Sequence, residues 1–169
     1  MFAALAVGAG YALLLIPNVE LITAIVFAGG VYLGTGWGLT VGVLAEFVFS
    51  AANPLGSGLV FLPLLAAQVV GMGVVGSIGG MLRKPLLSQD WPLAKVLFLG
   101  AVGAVLTLVY DTLTTLSYPV AAGFQLKQTV AVYLAGMAFT VLHQVSNAII
   151  FATALPRLFS RVKAPSSGC

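Results

Sequence analysis

The sequence predicts an all-α integral membrane protein, a compact bundle of six transmembrane helices with both termini cytoplasmic. Three observations carry that prediction. Of 169 residues, 60% are hydrophobic and only 7% are charged, where a soluble domain carries about 25%. Apolar runs alternate with short clusters of Pro, Gly and polar residues along the whole chain. The basic residues gather in a few connections rather than spreading over a surface. A hydrocarbon core about 30 Å thick needs about 20 helical residues at about 1.5 Å each. Residues 1–169 therefore hold six spans with short loops, as a single transmembrane domain.

The spans are expected at about 2–16, 19–34, 37–52, 59–82, 94–117 and 128–155. The opening stretch "MFAALAVGAGYALLL" lacks a basic leader, and the apolar pattern resumes two residues later, so it reads as the first span rather than a signal peptide. At "PNVE" (17–20) Pro17 cannot continue the hydrogen-bond ladder, and Asn18 can cap the second helix. The third span closes on the turn "NPLGSG" (53–58). The fourth is crowded with Gly71, Gly73, Gly76, Gly79 and Gly80, which permit close backbone approach. The fifth and sixth are joined through "YPVAAGFQ" (118–125).

Orientation follows from the basic residues. Arg83, Lys84 and Lys95 flank the fourth connection, and Arg157, Arg161 and Lys163 follow the sixth span. The positive-inside rule puts both groups and both termini in the cytoplasm, leaving Lys127 outside and Trp37 and Trp91 near the inner interface. The net charge of +3 thus reports orientation rather than nucleic-acid binding. Cys169, the only cysteine, has no disulfide partner, no prenylation context and no metal-site neighbours, and receives no role.

The polar residues inside these runs are the candidates for function. Glu46 precedes Asn53 by seven residues, which places it about 10 Å below the outer surface. Gln68 falls about 13 Å down the fourth span and Asp111 about 9 Å down the fifth, with Glu20 at the mouth. Acids in a membrane usually face the bundle interior or an aqueous cavity, so these residues should face one another. Glu46, Ser50 and Asn53 share one helical stripe, as do Thr107, Asp111, Thr114 and Tyr118, while Tyr133, Thr140, His143, Gln144 and Asn147 form a deeper polar face. The expectation is an outward-open pocket, with Phe49, Phe61, Tyr110, Tyr118 and Phe124 available to stack on a flat ligand, although packing is the favoured reading of each one taken singly. For Glu46 and Asp111 ligand contact is favoured over an interhelical hydrogen bond. For Gln68 and Asn147 the two stand level. His143 reads as structural, because a lone imidazole makes a poor metal site. For Glu20 ligand contact stands level with a solvated or helix-capping role.

No phosphate-binding loop, zinc-protease helix, nucleophile elbow or Cys/His cluster occurs in the sequence, so no catalytic residue, metal or cofactor is expected. The absence of two inverted halves also argues against a self-sufficient transporter. Ala4, Gly8 and Ala12 recur every four positions on the first span, which fits either packing or a docking strip.

Six short helices, together with "PNVELITAIVFAGGVYLGTGWGLTVGVLAEFVFSAANPLGSG" and "LAAQVVGMGVVGSIGG" within 17–80, resemble the substrate-binding S components of energy-coupling factor (ECF) vitamin transporters. The resemblance implies a protein of the prokaryotic cytoplasmic membrane that captures a vitamin-like molecule from outside. It would then dock on a transmembrane coupling protein driven by two cytosolic ATPase subunits, which alone use ATP, and topple to release its cargo. Asn18, Glu20, Glu46, Asn53, Ser57, Gln68, Asp111 and Tyr118 fall where that family holds its ligand. Ala4, Gly8 and Ala12 match its A-x-x-x-A coupling motif, with Gly in place of one Ala. Three acids against one outer Lys suit a neutral or cationic heterocycle, thiamine-related or nucleobase-like, better than an anion. The alternative reading is a non-transporting scaffold of the MreD rod-shape type, whose intramembrane acids would be structural.

Overall fold

The computed structural model describes residues 1–88 and 90–161; Lys163 and Cys169 lie outside the described residues. Helices form at Phe2–Leu13 (α1), Ile22–Leu33 (α2), Thr35–Ala51 (α3), Leu62–Met81 (α4), Arg83–Leu86 (α5), Leu93–Ala121 (α6) and Leu126–Arg161 (α7), with a 3-10 turn at Gly58–Val60. No strand occurs among the described residues. The helices α4, α6 and α7 are long and apolar enough to cross a membrane, whereas α1, α2 and α3 are shorter apolar helices of 12, 12 and 17 residues.

Local chemistry sets the boundaries. The carboxylate of Glu20 accepts the backbone N–H of Thr23 at 2.9 Å, satisfying one of the free donors at the start of α2. Glu20 rather than Asn18 therefore caps this helix, a correction to the sequence expectation. Asn18 instead adopts φ 57°, a left-handed conformation that asparagine tolerates. Gly34, at φ 95°, turns the chain directly from α2 into α3. A proline in the first turn opens α4, and Pro92 immediately precedes α6.

Helices α6 and α7 run past the ends expected for them. The sequence reading stopped the fifth span before Pro119 and the sixth before Pro156, yet both prolines sit inside continuous helix and both are buried. Packing overrides the lost backbone bond there. Hydroxyls also serve carbonyls near the first proline: Thr114 donates to Tyr110 O and Asp111 O, and Ser117 donates to Thr114 O.

Helix α2 is the hub of the bundle. Its residues Ile22–Ala24 and Val26–Val31 are buried, and it packs against α1, α3, α4 and α7, while α6 joins α4 to α7. Close approach depends on glycine. A Cβ on Gly30 or Gly38 would collide with the carbonyl of Gly76, one on Gly42 with that of Met72, and one on Gly79 with that of Phe27. Helices α2, α3 and α4 thus meet backbone to backbone, which is the packing expected of the glycine-rich fourth run. Away from this seam the core is aromatic: Phe27 and Phe151 lie 5.0 Å apart, and Phe159 meets Tyr32 and Trp91. Residues near Tyr32, Arg83, Trp91 and Leu158 therefore share one end of the bundle.

Gly76→Ala is expected to lower stability by about 1–3 kcal/mol through overpacking against Gly38, whereas Gly8→Ala, with nothing within 4 Å of the added carbon, should be neutral. Thermal unfolding in detergent checks the pair.

Candidate functional site

The site is built where the α1–α2 loop and three helices bring acids together. On α3, Glu46 is only 1% exposed. Its Oε1 accepts from the hydroxyl of Ser50, one turn on, at 2.8 Å and from the phenol of Tyr110 on α6 at 2.8 Å. The second acid, Glu20, arrives from the loop preceding α2. One of its oxygens caps Thr23; the other accepts from Asn147 Nδ2 at 2.9 Å and lies 3.5 Å from His143 Nε2. The opposite nitrogen of His143, Nδ1, lies 2.8 Å from Asp111 Oδ1. A continuous chain Glu20–His143–Asp111 thereby joins the loop, α7 and α6. Both imidazole nitrogens face carboxylates, so the doubly protonated ring is the form that donates to both. The loop is held in place by its own backbone: the carbonyl of Asn18 accepts from Ser146 Oγ on α7 at 2.9 Å.

These groups line a cavity of about 100 Å³, shared by Glu20, Glu46, Tyr110 and His143 with the apolar walls of Ile22, Phe49 and Met72. That volume accommodates about three waters or one small ring. Beside it lies a second cavity of about 340 Å³, lined by Asn53, Ser57, Gln68 and Phe61 among others. Ser50 lines the second cavity and donates to Glu46, which lines the first, so this hydrogen bond is the shared wall.

The sequence-predicted residues divide among these positions. Glu20 and Glu46 face the inner chamber, with Asp111 behind it on His143. Asn53, Ser57 and Gln68 face the outer chamber. The first two also fold their own loop: Asn53 Oδ1 accepts from Leu55 N, and Ser57 Oγ donates to Ala51 O. Asn18 contributes its carbonyl to Ser146, and Tyr118 lines neither chamber; it is 55% exposed and packs edge-on against Phe61 and Phe124. In place of the single expected pocket there are two chambers, because the Ser50–Glu46–Tyr110 bonds cross the space between α3 and α6.

His143, read as structural, holds the bundle together by bridging Asp111 and Glu20. Sequence reasoning missed two contributors. Tyr110 was read as an aromatic ring for stacking or packing, yet its hydroxyl holds Glu46. Ser146, which pins the loop, was not singled out, although it lies between two members of the polar face of α7. Its position beside Asn147 was the available signal.

Comparison of the chain with protein-family models, with characterised proteins and with solved structures finds no match.

Two substitutions probe this geometry. Tyr110→Phe leaves Glu46 with one donor in a buried place, and the expected cost is about 1–3 kcal/mol. His143→Leu removes the group between Glu20 and Asp111 and should destabilise more; adding Asp111→Asn should recover part of the loss. Double-mutant thermal denaturation measures both.

Proposed function

We propose that this chain is the high-affinity capture subunit of an ATP-driven micronutrient importer of the ECF type. It would bind a small vitamin-like molecule in an outward-facing site and deliver it through a coupling protein with two cytosolic ATPase subunits. The observation that carries the proposal is a pair of adjoining chambers that set polar side chains in apolar walls, assembled from the α1–α2 loop, α2, α3, α4, α6 and α7 of a largely apolar chain. Polar groups are costly in hydrocarbon and concentrate where a membrane protein handles a polar ligand. On this reading the chain carries out no reaction of its own.

The topology belongs to the same proposal: six crossings, with both termini on the cytoplasmic face of a prokaryotic cytoplasmic membrane. Arg83, Lys84 and Lys95 share one end of the bundle with the C-terminal turn of α7, and the chambers lie toward the end carrying the α3–α4 loop. That distribution agrees with a cytoplasmic basic end and an external site. Helices of 12 residues extend about 18 Å, so α1 and α2 would cross with the aid of their flanking segments and local thinning. The partner surface is assigned to α1. Ala4, Gly8 and Ala12 are exposed on the face opposite Ala6 and Gly10, which are buried in the bundle. A strip without large side chains lets another helix approach closely.

A scaffold of the MreD type is favoured by one feature, the closure of Glu46 by two donors of its own chain. The two readings separate in one experiment. Protein purified without added ligand should retain a small molecule detectable by mass spectrometry, and Glu46→Gln should lose it while remaining folded. Gly8→Leu should abolish co-purification of membrane and ATPase partners and leave ligand retention unchanged. A preparation free of small molecules whose only partners are cell-wall or cytoskeletal proteins would establish the scaffold instead.

A further inference from the structure

We infer that the ligand of the two chambers is an organic cation rich in N–H donors, whose small charged head occupies the inner chamber and whose larger body occupies the outer one. This inference deepens the capture reading and rests on it. The first argument is charge. Two carboxylates, Glu20 and Glu46, line the inner chamber with a single imidazole, and no Lys or Arg lines either chamber. Even a fully protonated His143 offers its one positive charge to Glu20 and Asp111 and makes no contact with Glu46. A ligand that brings positive charge completes the set, whereas a phosphate or carboxylate would enlarge the imbalance.

The second argument is independent of charge. Among the buried side-chain atoms around the site that lack a hydrogen-bond partner are Gln68 Oε1, Asp111 Oδ2 and Asn147 Oδ1. All three are acceptors. Asn147 is fully buried and has already committed its NH₂ to Glu20, so its oxygen cannot exchange roles with it. The hydroxyl of Thr107, one turn from Asp111 on the face that looks toward α7, is also buried without a partner and can serve either role. Gln68 Oε1 lines the outer chamber, whereas Asp111 and Asn147 line neither chamber and stand behind His143 and Glu20; the acceptors a ligand would meet are those of Gln68, Glu20 and Glu46, which N–H groups complement.

Shape divides the ligand. The inner chamber, about 100 Å³, sets Phe49 and Tyr110 beside Glu20 and Glu46, a combination of π surface and carboxylate that favours a flat delocalised cation. The outer chamber, about 340 Å³, offers Gln68, Asn53 and Ser57 beside the ring of Phe61, suited to a neutral polar body. A ligand that occupies both chambers displaces the Ser50–Glu46 hydrogen bond that walls them apart.

The test uses the full chain in nanodiscs and three single-ring probes of similar size at neutral pH. These are 4-aminopyridine, which is cationic with N–H donors; N-methylpyridinium, which is cationic without them; and nicotinate, which is anionic. Calorimetry should show 4-aminopyridine binding at least about tenfold more tightly than either other probe. Glu20→Gln or Glu46→Gln should weaken it by about tenfold or more. Unliganded thermal unfolding verifies that each variant is folded, and if one is not, the other carries the test. Nicotinate binding as tightly as 4-aminopyridine, equal affinity of 4-aminopyridine and N-methylpyridinium, no binding of 4-aminopyridine at all, or unchanged affinity in a folded Glu46→Gln would each overturn the inference. The capture reading fails separately. An anionic compound co-purifying with the protein and lost in Glu46→Gln would refute the cation and leave capture standing. Selective 4-aminopyridine binding by a protein that recruits no ATPase partner would retain the cation site and refute capture.

Discussion

A carboxylate surrounded by hydrocarbon must find hydrogen-bond donors or positive charge within a few ångströms, and that requirement organises this molecule. Glu46 reaches across to α6 for Tyr110, and Glu20 reaches from a loop to α7 for Asn147 and His143. Each acid, beside the local bonds of Glu46 to Ser50 and Glu20 to Thr23, takes a partner on a structural element other than its own. The polar bonds are therefore tertiary, and they fix how the α6–α7 hairpin sits against the rest of the bundle.

The two sides of the site are built differently. Helices α2, α3 and α4 are locked by glycine contacts between backbones, where the added bulk of a single methyl group has no room. The α6–α7 pair is held by side chains: Phe151 fills the space over Gly103, and Thr112 and Tyr133 share a hydrogen bond of 3.1 Å. Helix α7 touches α2 and α6, and the half of it that begins at Leu126 has no buried residue before His143. The inner chamber lies between the glycine-packed side and this more open hairpin, while the outer one is lined by α3, α4 and the loop between them. Geometry at Glu46 is thus set by a stiff scaffold, while His143 and Asn147 ride on an element with fewer constraints.

Much of this was legible in the sequence, for identifiable reasons. The apolar runs marked the helices, and the prediction that acids on separate runs face one another follows from the cost of burial, which depends on composition alone. The glycine crowding of 71–80 marked the close-packed seam. What the sequence concealed was pairing. Nothing in the spacing of Tyr110 distinguishes a ring that packs from a phenol that holds a carboxylate 64 positions away, and among the roles open to Glu20 capping is selected only once α2 is seen to begin at Ile22 rather than Val19. Pro119 and Pro156 misplaced two helix ends because the local penalty was visible and the tertiary packing that outweighs it was not. Tyr118 lay on the correct stripe, but near the end of a helix that extends further than expected, so it emerges among Phe61 and Phe124 instead of lining a chamber.

The balance of donors and acceptors separates glue from recognition. Polar groups whose only task is to hold helices together pair off, since a leftover buried acceptor works against the association it is meant to stabilise. Glu46 alone would pass as such glue: two donors converge on one oxygen of a side chain that water barely reaches. Its neighbours would not. Asn147 and Asp111 each bind the chain through one atom and leave another buried and unmatched, and Gln68 leaves its oxygen unmatched at the adjoining chamber. At each of these atoms helix packing alone does not complete the hydrogen bonding.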